Sequence, residues 1–168
     1  VITPNTIVPS PIKLAPSGIV LRAWPVPTHG YGQVAVELAR HLQANGMPVR
    51  IRMLASVRRR EELPADIARL MTTRHNPWAS ELVVAPPCEK TEGGKSVYVT
   101  MWESTQLHHS WVSRLNDFKA IIVPCEWCHE IFSANGVRAP IYTVPLGVHH
   151  DIFKPDPVSL NGPTVFGA

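Results

Sequence analysis

Glu103 stands directly after the apolar run Val97 to Met101, with Trp102 between them. A carboxylate at the carboxyl end of a buried strand faces the ligand crevice, where it accepts a hydrogen bond from a hydroxyl or acts as a base. The plainer alternative is a cap on the next helix, a role that Ser104 or Thr105 would fill better. A second chemistry-bearing stretch, Gly30-Tyr31-Gly32-Gln33-Val34-Ala35, reads G-x-G-x-x-A, the form of a dinucleotide-binding loop. Glycines there let a phosphate approach backbone N–H groups at a helix N-terminus. Two features depart from that fold. Pro25-Val26-Pro27-Thr28-His29 lengthens the lead-in, and the second strand ends in Arg52-Met53-Leu54-Ala55-Ser56, with no acid for ribose hydroxyls. Arg58 to Arg60 keep a 2′-phosphate, and hence NADP, among the alternatives. The others are glycines that serve only the strand-to-helix turn, and a loop receiving a different anionic or hydroxyl-rich ligand.

Cys125-Glu126-Trp127-Cys128-His129 matches C-x-x-C-H, the haem-attachment pattern, and contains a bare C-x-x-C. Yet it follows a buried strand and opens a helix whose Trp127, Ile131 and Phe132 belong to the core. A zinc site lacks a nearby fourth ligand, since Cys88 and His149 are distant in sequence and there is no second C-x-x-C. Coincidence of spacing is the favoured reading, with a redox or metal role behind it and haem last. His29, His108, His109, His149 and His150 fall in or beside ligand-side loops and suit hydrogen bonding better than a metal cage.

The elements that must position these residues alternate. Ile19 to Trp24, Val49 to Leu54, Glu81 to Ala85, Val97 to Met101, Ala120 to Val123 and Ile141 to Val144 read as strands. Val34, Ala35, Leu38, Ala39 and Leu42 recur at helical spacing, with Asn45-Gly46 as a stop. Pro64 opens a helix carrying the stripe Ile67, Leu70 and Met71. Further helices carry Leu107, Trp111, Val112 and Leu115, and then Trp127, Ile131 and Phe132. This is an α/β pattern: a Rossmann-like parallel sheet with helices on both faces and ligands at the strands' carboxyl ends. Loops 25–33, 101–106 and 145–155 are therefore the ligand-side candidates.

The bulk properties agree. The 168 residues suffice for one α/β domain and carry a net charge of +3. Arg58 to Arg60 run straight into Glu61 and Glu62, as a solvated loop does. An anionic substrate or a peripheral membrane contact is the alternative for that run, and nothing points to nucleic acid. No apolar run approaches the roughly 18 residues that span a bilayer. Three cysteines argue against a disulfide framework and fit a reducing, cytoplasmic setting. Residues 1–17 read as a proline-rich arm. The chain opens on Val1, as a fragment or processed form does, and Thr164 to Phe166 begins a further apolar run.

The stretches WESTQLHHSWVSRLN and FKAIIVPCEWCHEIFSANGVRAPIYTVPLGVHHDIFKP resemble the amino-terminal domain of GT-B glycosyltransferases of the retaining family 4 type. The carrying residues are Ile121 to Cys125, Trp127, Phe132, Gly136-Val137, Pro140-Ile141, Pro145 to Val148 and Phe153-Lys154-Pro155, with the Gly30-Tyr31-Gly32 loop upstream. The resemblance covers residues 18–155 and implies an acceptor-side domain there, with residues 156–168 leading into a missing C-terminal, donor-binding domain. It implies transfer of a sugar from a nucleotide-sugar donor to an acceptor hydroxyl with retention. No metal and no cofactor beyond the donor are implied, and neither a D-x-D nor the glutamate-pair motif of the family's donor-binding domain is present. The departing phosphate would take the acceptor proton, so catalysis would be mostly positioning and electrostatics. By this resemblance Gly30, Tyr31 and Gly32 would present N–H groups to phosphate or sugar. Glu103 would bind a hydroxyl in the catalytic position, beside Trp102 and Ser104, and Gly147 and His149 would line the interdomain cleft. Two departures stand out: His149 replaces the usual Asp after P-L-G-V, and Glu103 takes the place of a common His. Cys125 stands where Ser is common, which fits a capping role and argues against redox chemistry.

Overall fold

A computed structural model describes residues 18–54, 63–72, 79–91, 93–150 and 152–153. The proline-rich arm, the Arg58 to Arg60 run with its glutamates and the closing segment 154–168 lie outside the described residues.

Six strands form one all-parallel sheet: β1 (Ile19–Ala23), β2 (Val49–Met53), β3 (Ser80–Val84), β4 (Val97–Val99), β5 (Ala120–Val123) and β6 (Ile141–Thr143). Their spatial order is β2-β1-β3-β4-β5-β6. The helices between them are α1 (Gly30–Ala44), α2 (Ala65–Ala68), α3 (His109–Leu115) and α4 (Glu126–Ala134). The chain is thus an α/β, Rossmann-like domain, as the alternating pattern requires.

Three sequence expectations are corrected. Trp127, assigned to the core, is 43% exposed on α4, and Leu107 is buried but precedes α3. The stripe Ile67, Leu70 and Met71 is not a single helical face, because α2 ends at Ala68. Met71 instead bridges Ile51 in parallel, with Ile51 N–H donating to Leu70 O at 2.9 Å and Thr72 N–H to Ile51 O at 2.8 Å. Ile67 and Leu70 still reach the core, since both are buried with Leu21 and Ile51. Counted as a rudimentary strand outside β2, this bridge completes the third–second–first–fourth order of doubly wound sheets.

The pleat sends alternate residues to opposite faces. Leu21, Ile51 and Val84 meet Ala35, Val36 and Ala39 of α1 and Ile67 of α2. Val83, Tyr98, Ile121 and Val123 meet Leu115 of α3 and Cys128 and Phe132 of α4. On this second face, β1 and β2 carry Arg22 and Arg52. Glu81 on β3 accepts from Arg22 Nη1 at 3.2 Å, from Ser96 Oγ at 2.5 Å and from Arg52. An ion-pair network occupies that corner of the sheet, which explains why β2 alternates apolar residues with arginine.

Candidate functional site

The sequence order reverses between β1 and β3, so the loops leaving these two strands diverge and open a crevice at their carboxyl ends. The β1 loop doubles back on itself. Val26 N–H donates to Trp24 O at 2.8 Å, and His29 N–H to Val26 O at 3.1 Å. The loop backbone then lies against the first turn of α1. A Cβ on Gly32 would stand 1.9 Å from Val26 O, whereas one on Gly30 would meet nothing within 4 Å. The two glycines of G-x-G-x-x-A therefore differ in kind. Gly32 is demanded by packing, and the space its missing side chain leaves is filled by this chain's own carbonyl.

Tyr31 is the structural link between loops. Its hydroxyl donates to Met101 O at 2.6 Å, accepts from Met101 N–H at 3.0 Å and lies 3.4 Å from Thr100 Oγ1. Burial raises its pKa above the usual tyrosine value. This ties the start of α1 to the segment that carries Trp102, Glu103 and Ser104. Trp102 is half-buried, with its indole N–H on Gln106 O at 2.9 Å and its ring edge-on to Trp111 at 5.0 Å. Glu103 and Ser104 are exposed. Neither they nor Thr105 cap the next helix: the N-cap of α3 is His108, whose Nδ1 accepts from Ser110 N–H at 3.3 Å. The capping explanation for Glu103 thereby falls away. Asn135, at the end of α4, fixes the far side of this loop, accepting from Leu107 N–H at 2.9 Å and donating to Thr105 O at 3.0 Å.

At the strand-order reversal lies a cavity of about 60 Å³, bounded by Trp24, His29, Tyr31, Gly32, Leu54, Val84, Ala85, Pro86 and Glu89. Space on that scale takes several waters or one small polar group. The indole N–H of Trp24 is buried and has no hydrogen-bond partner among the described residues. The Trp24 ring sits 5.3 Å from that of His29, which occupies the N-cap of α1 without a side-chain capping bond. An indole donor, an imidazole and the half-buried Glu89 carboxylate together offer both donors and an acceptor to a hydroxyl-bearing ligand.

Sequence reading missed Trp24, Pro86 and Glu89 in this role, because loop 85–91 follows a strand of weak pattern and was not among the ligand-side candidates. The reversal between β1 and β3 is the signal that singles it out, and it becomes visible only once the strand order is known.

Gly147 and His149 are not part of this grouping. They lie in the exposed loop after β6, the edge strand that stands four strand spacings from β1. His149 O accepts from Ile152 N–H at 3.0 Å and Phe153 N–H at 2.9 Å, and Val144, Leu146 and Val148 are exposed before that turn. The first glycine loop and the Glu103 loop thus come together through Tyr31 and Met101, while the P-L-G-V loop leaves from the edge strand β6.

The C-x-x-C-H segment forms the start of α4, with Cys128 buried among core residues and His129 Nδ1 3.4 Å from Thr143 Oγ1. No group of three or more His, Cys, Asp or Glu side chains among the described residues is placed to hold a metal ion. Among the same residues no helix is long and apolar enough to cross a membrane. No protein-family model, curated protein or solved structure matches this chain.

Proposed function

We propose that this chain is the acceptor-side domain of a retaining, GT-B type glycosyltransferase that works in the cytoplasm on a nucleotide-sugar donor. The observation that carries this reading is the Tyr31–Met101 pair, which brings the first turn of α1 and the Glu103 loop to one side of the strand-order reversal. The order and spacing of the motifs from Trp102 to Phe153 support it. In this reading Glu103 accepts a hydrogen bond from the acceptor hydroxyl. The N–H groups of the first α1 turn, at the positive end of the helix dipole, favour negative charge, such as a donor phosphate. The Tyr31 side chain, with its hydroxyl committed to Met101, positions the loop and does not touch ligand. Gly147 and His149, at the sheet edge, serve closure of a donor-binding domain.

Titration of the 168-residue chain, followed by amide and indole NMR signals, tests the reading. Hydroxyl-rich acceptor sugars are expected to shift the Trp24 indole and the Glu103 amide saturably, and NADPH is expected to produce no saturable change. Saturable NADPH binding without any response to sugars or sugar nucleotides would replace the transferase by an NADP-binding oxidoreductase. Efficient sugar transfer by these residues alone would remove the requirement for a second domain.

A further inference from the structure

The first turn of α4 holds two cysteines that the transferase reading leaves unused. Cys125 is at the N-cap position with extended backbone, and its thiol makes no capping bond to the helix. The capping role expected for it is therefore not performed by the side chain. Cys125 is exposed, whereas Cys128, one turn on, is buried in the core cluster with Phe132 and Val123. The two cysteines sit one helical turn apart, and burial, with Cys125 adding in the same direction, raises the Cys128 thiol pKa above its usual range. The Cys128 S–H also points at Trp102 O, at 3.7 Å, in the loop that carries Glu103. An accessible sulfur paired with a shielded one across a C-x-x-C turn is the arrangement that dithiol–disulfide exchange requires.

We propose that Cys125 and Cys128 form a reversible thiol-modification site, Cys125 being the residue attacked from solution and Cys128 the residue that resolves the adduct. The co-reactant is a low-molecular-weight disulfide. The Cys125 thiolate, having released its proton to solvent, attacks one sulfur of that disulfide. The S–S bond breaks, one thiolate leaves and takes up a proton, and a mixed disulfide remains on Cys125. Cys128 then gives up its proton and attacks the Cys125 sulfur, expelling the second thiol. The protein dithiol has lost two electrons and the small disulfide has gained them. Cys128 can no longer donate to Trp102 O, so oxidation releases the Trp102–Ser104 segment from one of its anchors. The exchange chemistry stands on the cysteine pair alone and does not depend on the transferase reading.

The test uses the full chain and oxidised glutathione at neutral pH, with acid quenching, alkylation of remaining thiols and peptide mass mapping. Wild type is expected to lose two hydrogens in the peptide spanning Cys125 and Cys128, and to recover them with dithiothreitol. Cys128→Ser is expected to stall with glutathione on Cys125, and Cys128→Ala repeats the measurement should a buried hydroxyl disturb folding. Cys125→Ser is expected to leave Cys128 unmodified. Amide exchange at Glu103 and Ser104 should rise on oxidation of wild type and stay unchanged in Cys125→Ser. Glutathione on exposed Cys88 with Cys125 untouched would overturn the proposal. So would a Cys125 adduct in wild type that persists without closing onto Cys128.

Discussion

Tyr31 and Met101 hold each other by two hydrogen bonds, the tyrosine hydroxyl donating to the Met101 carbonyl and accepting from the Met101 N–H. A side chain on α1 thereby takes up the backbone just past the sheet bond from Thr100 N–H to Ile122 O at 2.9 Å. Tyr31→Phe removes both bonds and leaves a backbone donor and acceptor to find water. The expected loss is about 1–2 kcal/mol of unfolding free energy, read from urea midpoints. The Met101 amide should also lose exchange protection by more than the global change explains. An unchanged Met101 amide would mean that the loop is held in place without Tyr31.

The same burial sets an alkaline limit. Tyr31 and Tyr98 both have pKa values raised above the ordinary tyrosine value, chiefly by desolvation. Tyr98 is almost fully enclosed, with its hydroxyl on Pro86 O at 2.8 Å and its ring edge-on to Phe118 at 4.6 Å. A raised folded pKa means that the neutral form is favoured by folding. That stability is fully present below the unfolded value, about 10, and is lost as pH rises through the folded values. Urea midpoints are expected to hold from neutral pH to about 8.5, ease down above that as the buried Cys128 thiol begins to be disfavoured, and fall steeply above about 10. Tyr98→Phe should flatten part of that fall. A stability that rises above pH 10 would contradict the sign.

Strand and helix positions were legible because burial in a parallel sheet leaves continuous apolar runs, such as Ala120 to Val123, and helical stripes, such as Val34 to Leu42. The Leu70–Met71 stripe misled for a physical reason: two apolar residues after a four-residue helix suit either another turn or an edge bridge, and only pairing with Ile51 decides between them. The first glycine loop was readable as a strand-to-helix turn. What Gly32 accommodates was not, because its neighbour is a carbonyl six residues back in a loop with no periodicity. Trp24 and Glu89 line one cavity at the carboxyl ends of β1 and β3, and that they share it follows from strand order.

Glu81 is the acceptor on which Arg22, Arg52 and Ser96 converge. The Arg22 and Glu81 side chains are only 16% and 20% exposed, so replacing Glu81 by Ala leaves two guanidiniums facing a partly dry surface without that carboxylate. The expected cost is about 2 kcal/mol, less than for a fully buried pair because water reaches all three groups. Glu81→Gln, which keeps an acceptor for Ser96, should cost about half as much. A double-mutant cycle with Arg22→Met reads the coupling directly. Additive losses would show that the network is surface decoration.

Gly30 and Gly32 look equivalent in the sequence but are expected to respond very unequally to alanine. At Gly32 the new methyl carbon would stand 1.9 Å from Val26 O and 2.8 Å from Trp24 O, both backbone atoms of a loop containing Pro25 and Pro27. Neither atom belongs to a flexible side chain, so either the loop or the first turn of α1 must move. The cost is expected at about 3 kcal/mol or more, with the cavity beside Trp24 reshaped and the Tyr31–Met101 pair displaced. At Gly30 the methyl meets nothing, and its backbone is not in the left-handed region, so Gly30→Ala should change stability by no more than about 0.5 kcal/mol. Urea denaturation separates the two variants. A phosphate-bearing ligand gives a second readout, because a loop built for close ligand approach at Gly30 would lose affinity in Gly30→Ala while keeping its stability. If both variants are equally stable, the backbone contact at Gly32 is not what the glycine is there to permit.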